Sequence, residues 1–311
     1  FKMKLLKPKF WDTDKISIFS ILLFPISLCT KSIIFLKNIF AEKKKSSIPV
    51  ICVGNIYLGG TGKTPFCIEL FKILKDLNKN PCFIRKDYNS HLDEINLLKK
   101  IGTTCLGKNR IAAIDEAVKK NFDTVILDDG FQDHSIKKSL SIICFNEKQW
   151  IGNGLTIPAG PLRESLSALC RASIVIINGN KNIKIENKIF ESNRLIKIFY
   201  VKYQANNIIE FKNKKIICFA GIGNPDNFFD LLKVNNLNII EQLSFPDHYK
   251  YSNIELENLI EKGKKENAIL LTTEKDYFRI DKKYTSNINC VKIKILIENK
   301  NKFIEEIKKY I

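Results

Sequence analysis

A glycine-rich turn between an apolar run and a helical pattern constrains the fold of this chain more than any other feature. The turn reads GGTGKT at residues 59–64 and follows the apolar segment PVICV at residues 49–53. Apolar residues then recur at helical spacing over residues 66–77, which predicts a helix that opens at the lysine and the threonine. A strand, a glycine turn and a helix in this order are typical of a phosphate-binding loop.

The residue types of this turn predict how it holds a nucleotide. Lys63 is expected to reach the β- and γ-phosphates, and the Thr64 hydroxyl is expected to hold Mg²⁺. The usual pattern has glycine at position 57, where this chain has Tyr57, so a chance glycine-rich turn is the alternative. The predicted nucleotide-binding residues are Tyr57, Leu58, Gly59, Gly60, Thr61, Gly62, Lys63 and Thr64.

A second motif, TVILDD at residues 124–129, combines strand-forming residues with two carboxylates. In phosphate-loop enzymes an acid at the end of a buried strand supports Mg²⁺ beside the nucleotide. Asp128 and Asp129 are the candidates for this role. The alternative is a strand that simply runs into an Asp-Gly turn. The two motifs together, in this order, predict a Mg-nucleotide site.

The net charge of +18 is compatible with nucleic acid, a membrane surface or an anionic substrate. The lysines are spread over all segments, and no nucleic-acid-binding signature occurs, so we expect no nucleic-acid partner. Nine scattered cysteines without a C-x-x-C pair predict reduced, buried thiols rather than a disulfide framework or a zinc site.

The first 45 residues predict a membrane-associating segment. Residues 16–30 carry no charge, are interrupted by Pro25 and are flanked by lysines on both sides. This run is shorter than the roughly 20 residues that a membrane-spanning helix needs. An interfacial helix beside anionic headgroups is therefore favoured over a helix packed on the protein core, a single tilted span or a cleaved signal peptide.

Strands alternate with helices after residue 50, which predicts an α/β fold. The expected architecture is a P-loop-containing nucleotide hydrolase-like core with a parallel sheet, a second, smaller α/β domain and an apolar N-terminal helix. The predicted domains are residues 1–45, 46–190 and 191–311, the last including a bridging strand near 195–203. The polar stretch at 178–188 is predicted to be a linker, and residues 291–296 are predicted to be one strand.

Six blocks, in order, resemble the tetraacyldisaccharide 4′-kinases, the lipid A 4′-kinases. The first is VGN at 53–55 with GGTGKTP at 59–65, and that family shows the same displaced first glycine. The others are DDGFQDH at 128–134, GNG at 152–154 through PAGPLRE at 158–164, GIGNP at 221–225, FPDH at 245–248 and TTEKD at 272–276. Two family blocks differ: SRGYG is RKDYN here, at 85–89, and GDEP aligns with LDEI at 92–95.

The resemblance implies transfer of the γ-phosphate of ATP to the 4′-hydroxyl of a tetraacylated glucosamine disaccharide 1-phosphate, which gives lipid IVA in lipid A (lipopolysaccharide) biosynthesis. It implies ATP and Mg²⁺ as cofactors and the lipid A disaccharide precursor as a partner. The enzyme is expected to be a monomer at the anionic cytoplasmic face of the bacterial inner membrane. It is held there peripherally or by a single N-terminal anchor.

The resemblance also implies roles for individual residues. Asp93 accepts the proton of the hydroxyl, His248 orients Asp93, and Arg163 stabilises charge on the γ-phosphate. Glu164 orients Arg163 or joins the metal shell, so the metal set is Thr64, Asp128, Asp129 and Glu164. Arg110 is a weaker candidate for the 1-phosphate of the substrate. Without the resemblance, Asp93 reads as a loop acid, His248 as part of a turn and Arg163 as a surface charge.

Two other functions stay open at this point. A membrane-associated P-loop ATPase or GTPase switch without lipid phosphorylation needs Lys63, Thr64 and Asp128, but it has no use for Asp93, His248 or Arg163. An inactive homologue is the third possibility, which the altered block at 85–89 raises.

Overall fold

The structure, a computed structural model, describes residues 7–40, 42–86 and 92–311, and it leaves the side chains of residues 35, 37–39, 92 and 93 undescribed. The chain packs as two compact units. Of the described residues, the larger unit comprises 7–40, 42–86, 102–202 and 297–311, and the smaller unit comprises 92–101 and 203–296. The division into domains at 190/191 stays a prediction.

The elements alternate along the chain as an α/β fold requires, so the predicted class is confirmed. The helices are α1 Ile18–Ile39, α2 Lys63–Asp76, α3 Leu92–Ile101, α4 Arg110–Lys119, α5 Ile183–Ser192, α6 Pro225–Val234, α7 Asn253–Lys265, α8 Glu274–Tyr277 and α9 Lys300–Lys308. The strands are β1 Lys44–Lys45, β2 Val50–Gly54, β3 Pro81–Lys86, β4 Thr104–Gly107, β5 Thr124–Asp128, β6 Ile136–Lys137, β7 Leu140–Asn146, β8 Ile174–Asn178, β9 Lys197–Ala205, β10 Lys215–Ala220, β11 Asn238–Ser244, β12 Ala268–Thr273, β13 Ile288–Val291 and β14 Ile293–Ile297.

An eight-stranded sheet has the order β14-β9-β8-β7-β2-β5-β3-β4, and strands β2, β5 and β7 are buried along their whole length. Parallel strands that are covered on both faces read as continuous apolar runs, which is why the sequence predicts them well. Strand β2 lies between β5 and β7, and Val53 pairs with Asp128 across the β2–β5 ladder. The carboxyl ends of β2 and β5 therefore meet at one edge of the sheet.

The smaller unit has its own parallel sheet of four strands, in the order β11-β10-β12-β13. One apolar cluster packs α6 against this sheet through Phe228, Phe229 and Leu232, and a second packs α7 through Leu256 and Leu259. A capping box between Ser252 and Glu255 opens α7.

Two sequence predictions about elements are wrong. The stretch predicted as a linker contains most of helix α5. Asn182 caps this helix, since its side chain accepts a hydrogen bond from the N–H of Lys184. Ile185 and Ile189, one turn apart, are both buried. The strand predicted at 291–296 is two strands, β13 and β14. The backbone of Lys292 between them bonds to Asn206 and Asn207 instead of continuing a ladder.

All nine cysteines are free thiols, and six of them are buried, as the sequence predicted. Burial raises the pKa of the Cys52 thiol to about 11. Across the described ranges, no helix combines the length and the hydropathy that a membrane span requires.

Candidate active site

The phosphate loop joins the end of β2 to the start of α2. Gly62 caps α2 with a left-handed backbone, φ 87°, which favours glycine because a Cβ is strained there. Asn55 steadies the loop from beneath, since its Nδ2 lies 3.1 Å from Thr61 Oγ1 and 3.3 Å from Gly59 O. The loop is thereby built to present backbone N–H groups at the N-terminus of a helix.

Thr64 and Asp128 meet where β2 and β5 end side by side. The Thr64 hydroxyl donates to Asp128 Oδ2 at 3.2 Å, and the Asp128 side chain is buried. Arg85 lies on the same carboxylate, with Nη1 3.6 Å from Oδ2. The structure thus places the loop threonine beside the strand-end acid, and their role at a metal stays a prediction.

Positively charged side chains of the site surround Asp129. It has a left-handed backbone, φ 59°, directly after β5, and its N–H donates to Val53 O at 2.9 Å. Arg163 Nη1 lies 2.8 and 3.0 Å from the two carboxylate oxygens, and Lys63 Nζ lies 3.7 Å from one of them. Arg110 donates to the Asp129 carbonyl oxygen at 2.8 Å. One carboxylate therefore holds the loop lysine and an arginine together.

The backbone explains how Arg163 reaches this position from far along the chain. The N–H of Leu58 donates to Pro161 O at 2.8 Å, and the N–H of Arg163 donates to Ile56 O at 2.7 Å. Tyr57 and Leu162 thus form an antiparallel bridge. This short pairing fixes the segment that carries Arg163 beside the segment that leads into the phosphate loop.

Tyr57, the residue that replaces the usual glycine, is fully buried. Its hydroxyl forms hydrogen bonds with Asp12 and Lys7 from the N-terminal segment. Burial, followed by the hydrogen bond to Asp12, raises the pKa of the phenol far above its usual value. The Tyr57 side chain, predicted to bind nucleotide, is thus used in contacts within the protein.

Glu164 pairs with Arg171. Its predicted role, to orient Arg163 or to join the metal shell, stays a prediction. Arg171 also stacks on the Phe131 ring, 4.5 Å from its centre, and lies 2.9 Å from His134 Nδ1. Burial, and then the nearby Arg171 cation, lowers the pKa of His134 to about 4. His134 is therefore neutral at physiological pH.

Asp133, which directly precedes His134, anchors Arg110. Arg110 Nη1 donates to Asp133 Oδ2 at 3.0 Å, and Ser135 donates to Oδ1. Burial alone would raise the pKa of this carboxyl, but the hydrogen bonds from Ser135 and Arg110 lower it below its usual value.

The comparisons with known proteins agree with this geometry. The profile of the family described as Tetraacyldisaccharide-1-P 4′-kinase (LpxK) matches residues 19–104 and 93–311. A tetraacyldisaccharide 4′-kinase of Pelagibacter ubique is 45% identical over 293 residues, which is 93% of each chain. One of Rickettsia bellii is 37% identical over 98% of each chain. The chain belongs to this family.

A solved structure points the same way. LpxK from Aquifex aeolicus in complex with ATP is 26% identical and superposes with a TM-score of 0.74, over 94% of this chain and 99% of that one. The family predicted from the six blocks is confirmed, and so is its enzyme class, an ATP-dependent kinase.

His248 lies in the smaller unit, in a turn with a left-handed backbone, φ 56°. Its N–H donates to Gly221 O at 3.0 Å, and its Nδ1 lies 3.4 Å from Arg279 Nη2. Arg279 is in turn fixed by Asp276, at 2.9 Å, so the family block around the histidine forms one polar cluster.

Asp276, at the centre of this cluster, is completely buried. It accepts hydrogen bonds from Thr273, from Tyr251 and from the N–H of Gly221. Burial raises the pKa of the carboxyl even though the Arg279 cation opposes this shift. The block at 272–276, for which the sequence analysis predicted no role, thus holds together the turn that presents His248.

Asp93 is the second residue of α3, and its side chain lies outside what the structure describes. Its role as a base, the orienting role of His248 and the role of Arg163 on the γ-phosphate all stay predictions.

The metal set is a prediction as well. Within the described ranges, no three His, Cys, Asp or Glu side chains form a preformed metal cluster. Among these residues, Glu164 Oε1 is buried without a hydrogen-bond partner.

Sequence reasoning missed several residues that build the site. Gln132 donates from Nε2 to Asn55 O at 2.9 Å, and its Oε1 lies 3.5 Å from Arg163 Nη1. Asn55 and Gln132 both stand inside the quoted family blocks, so those blocks carried a signal. Arg171 stands outside them and carried none.

Proposed function

We propose that this chain transfers the γ-phosphate of ATP to the 4′-hydroxyl of a tetraacylated glucosamine disaccharide 1-phosphate, which gives lipid IVA. The observation that carries the proposal is the Asp129 carboxylate, which holds Lys63 and Arg163 together at the mouth of a phosphate loop. Phosphoryl transfer needs positive charge around the γ-phosphate more than it needs covalent chemistry. A P-loop lysine with a second, planar cation supplies that charge.

The residues beside the loop fit Mg²⁺. A threonine hydroxyl and a buried carboxylate, 3.2 Å apart, are the hard oxygen ligands that this ion prefers. We assign Thr64 and Asp128 to the ion, with Asp129 in support. Mg²⁺ usually keeps several waters and takes further oxygens from the nucleotide, so a cage of protein ligands is not required. The ion would neutralise charge on the phosphates. The buried Glu164 oxygen without a partner among the described residues is a further candidate ligand.

We assign the proton-transfer step to Asp93 and His248. A carboxylate accepts the proton of the attacking hydroxyl, and an imidazole N–H that donates a hydrogen bond to that carboxylate fixes its orientation. Arg279 is well placed to fix the His248 ring itself, because it lies 3.4 Å from Nδ1 and is anchored on the buried Asp276.

The N-terminal helix supports a location at the membrane. Helix α1 exposes a row of large apolar side chains, among them Phe19, Leu22 and Ile26, while its serines Ser20 and Ser27 face inward and are buried. An apolar face that water does not favour is suited to the interface of a bilayer. We propose that the enzyme acts as a monomer on the lipid A disaccharide precursor, peripherally bound at the anionic cytoplasmic face of the inner membrane.

A single substitution separates the kinase from a nucleotide switch that phosphorylates no lipid. We expect Asp93→Asn to lower phosphate transfer by roughly 10²–10⁴-fold, since this is the contribution of a general base. Binding of an ATP analogue should stay as in wild type, because Asp93 is assigned no contact with the nucleotide. The assay measures transfer to the lipid acceptor and analogue binding on the same samples.

The matched control is Asp115→Asn, which removes an exposed carboxylate that pairs with Lys44. It should leave both quantities unchanged. Full transfer activity in Asp93→Asn would remove Asp93 from the reaction. ATP turnover that persists in that variant without any dependence on lipid would instead favour the switch.

A further inference from the structure

Helix α1 has apolar residues on its outward face and hydroxyl residues on its inward face, the reverse of a helix that only packs on a protein core. From residue 18 to residue 29 its exposed residues are apolar, and its inward stripe contains Ser20, Leu23, Ser27 and Thr30, at the i, i+3, i+7 and i+10 positions of one face. The proposed contact with lipid accounts for the apolar residues on the outward face. The inward hydroxyls need a separate explanation, because burying them is unfavourable unless each finds a partner.

Apart from hydrogen bonds to Leu23 and Ser27 within the helix and to its N-cap Ser17, these hydroxyls have their partners in one loop. Ser27 Oγ donates to Thr156 O at 2.9 Å and accepts from the N–H of Ala159 at 2.9 Å. Thr30 Oγ1 lies 2.9 Å from Ile157 O. Together these contacts hold residues 156–159 against the helix. The same loop continues into residues 161–163, which carry Arg163 to Asp129.

The first half of the loop is held in the same way. Asn153 Nδ2 donates to Ser20 Oγ at 3.1 Å, and its N–H donates to Trp11 O at 3.0 Å. Gly152 permits this approach, because a Cβ at that position would lie 2.0 Å from Trp11 O. The indole N–H of Trp11 donates to Pro158 O at 3.1 Å. Residues 11–30 therefore line the loop from end to end.

A second junction reaches the phosphate loop itself. Asp12 and Lys7 bind the hydroxyl of Tyr57, which is buried and stands two residues before Gly59. Because Tyr57 also bridges Leu162, the two junctions act on the same short pairing of strands.

We propose that the N-terminal segment, residues 7–30, is a positioning element of the phosphate-transfer site, with Ser27 and Thr30 holding the loop that places Arg163. This goes beyond a role as a membrane anchor, since the segment is part of the scaffold that fixes the site. The inference rests on the proposed role of Arg163 in transfer. Ser27 and Thr30 act through that arginine and have no contact with the reacting groups.

The test is phosphate transfer in detergent micelles, where anchoring to a bilayer does not limit the rate. Ser27→Ala leaves the N–H of Ala159 without its partner and removes one of the two donors to the carbonyl of Thr156, which still accepts from the N–H of Gly160. We therefore expect kcat to fall roughly tenfold. KM for the lipid and binding to vesicles should stay within about twofold of wild type, because the apolar face is untouched. Ser32→Ala is the control. Among the described residues its hydroxyl bonds only within α1, to Leu28 O, and activity should not change.

A double-variant cycle tells positioning from general damage. If Ser27 acts through Arg163, Ser27→Ala should cost little further activity in an Arg163→Ala background. Thr30→Val removes a hydroxyl at nearly constant shape and should lower kcat in the same direction, whereas Thr30→Ser should restore it. These Thr30 variants also decide the matter if Ser27→Ala does not fold.

Three outcomes would overturn the inference: wild-type kcat in both Ser27→Ala and Thr30→Val, additive losses with Arg163→Ala, or losses that track vesicle binding alone. A different result bears on the proposed function. Full activity in Arg163→Ala would remove Arg163 from the reaction whatever Ser27 does.

Discussion

At the scale of single residues, the proposed phosphate transfer depends on one carboxylate. Asp129 is only partly buried, yet Lys63 and Arg163 both lie on it, and Arg110 lies on its backbone carbonyl. A carboxylate that holds two cations keeps them preorganised for a phosphate anion. Preorganised charge is the largest single contribution to many catalysed transfers, because no reorientation is needed when charge develops.

His134 gives a prediction about pH. Its pKa is lowered to about 4, so the folded chain keeps it neutral while the unfolded chain protonates it near 6.5. The free energy of unfolding should therefore be fully retained above pH 7 and should fall as the pH drops from 6.5 toward 4. In that window His134→Gln should show a shallower slope, by up to roughly 1.4 kcal/mol per pH unit.

The measurement is urea unfolding at a series of pH values, for wild type and variant together. Taking the difference between the two curves removes the contribution of the carboxylates that titrate in the same range. Parallel curves between pH 6.5 and 4 would show that His134 is not kept neutral by the fold.

The site residues that sequence reasoning found are those whose chemistry is local. Lys63 and Thr64 follow a glycine turn, and Asp128 ends an apolar strand, so each was predictable from its immediate neighbours. Tyr57 was not, because its partners Asp12 and Lys7 lie more than 40 residues earlier in the chain and only the fold brings them together. Arg171 and its partner His134 are 37 residues apart in the chain, and they too are brought together only by the fold.

At the scale of elements, buried parallel strands were predicted most securely because their whole length is apolar. Helix α5 was missed because lysine and asparagine dominate residues 178–188, the stretch in which it begins. Its two buried isoleucines, Ile185 and Ile189, give a weak periodic signal. The break between β13 and β14 was missed because Asn206 and Asn207, which bond to Lys292 there, are far away in the sequence.

Helix α1 gives the prediction at this scale. Leu22→Asp together with Ile26→Asp puts two charges on the exposed apolar face, so the partition coefficient onto anionic vesicles should fall by at least about tenfold. Co-flotation with vesicles measures the bound fraction. Leu195→Asp is the matched control, since Leu195 is an exposed leucine of the same unit outside the helix. Unchanged flotation of the α1 variant would rule out this face as the membrane contact.

At the scale of the whole molecule, the α/β class and the family followed from the sequence, because six blocks spread over the chain preserve their order. The packing units did not follow from it. Helix α3, with Asp93, packs in the smaller unit although it is placed in the chain between strands of the larger one, and Ile297–Ile311 packs in the larger unit. Chain order cannot give such exchanges, since they depend on which apolar faces meet.

The proposed function requires that one chain brings the nucleotide at its phosphate loop together with a lipid acceptor. The loop, Asp128 and Asp129 are equally suited to a nucleotide switch, so they do not decide the matter alone. Family membership over nearly the entire length, together with Arg163 held at Asp129, favours the kinase.

The most direct measurement is identification of the lipid product. Purified chain in detergent is incubated with ATP, Mg²⁺ and tetraacyldisaccharide 1-phosphate, and the lipid is examined by mass spectrometry and phosphorus NMR. If the chain is this kinase, the lipid gains one phosphate, as a monoester on the 4′-oxygen, and one ADP forms for each phosphate transferred. In Lys63→Ala, transfer should fall by at least about 100-fold. ADP formed without phosphorylated lipid, or phosphate on another hydroxyl, would contradict the proposed function.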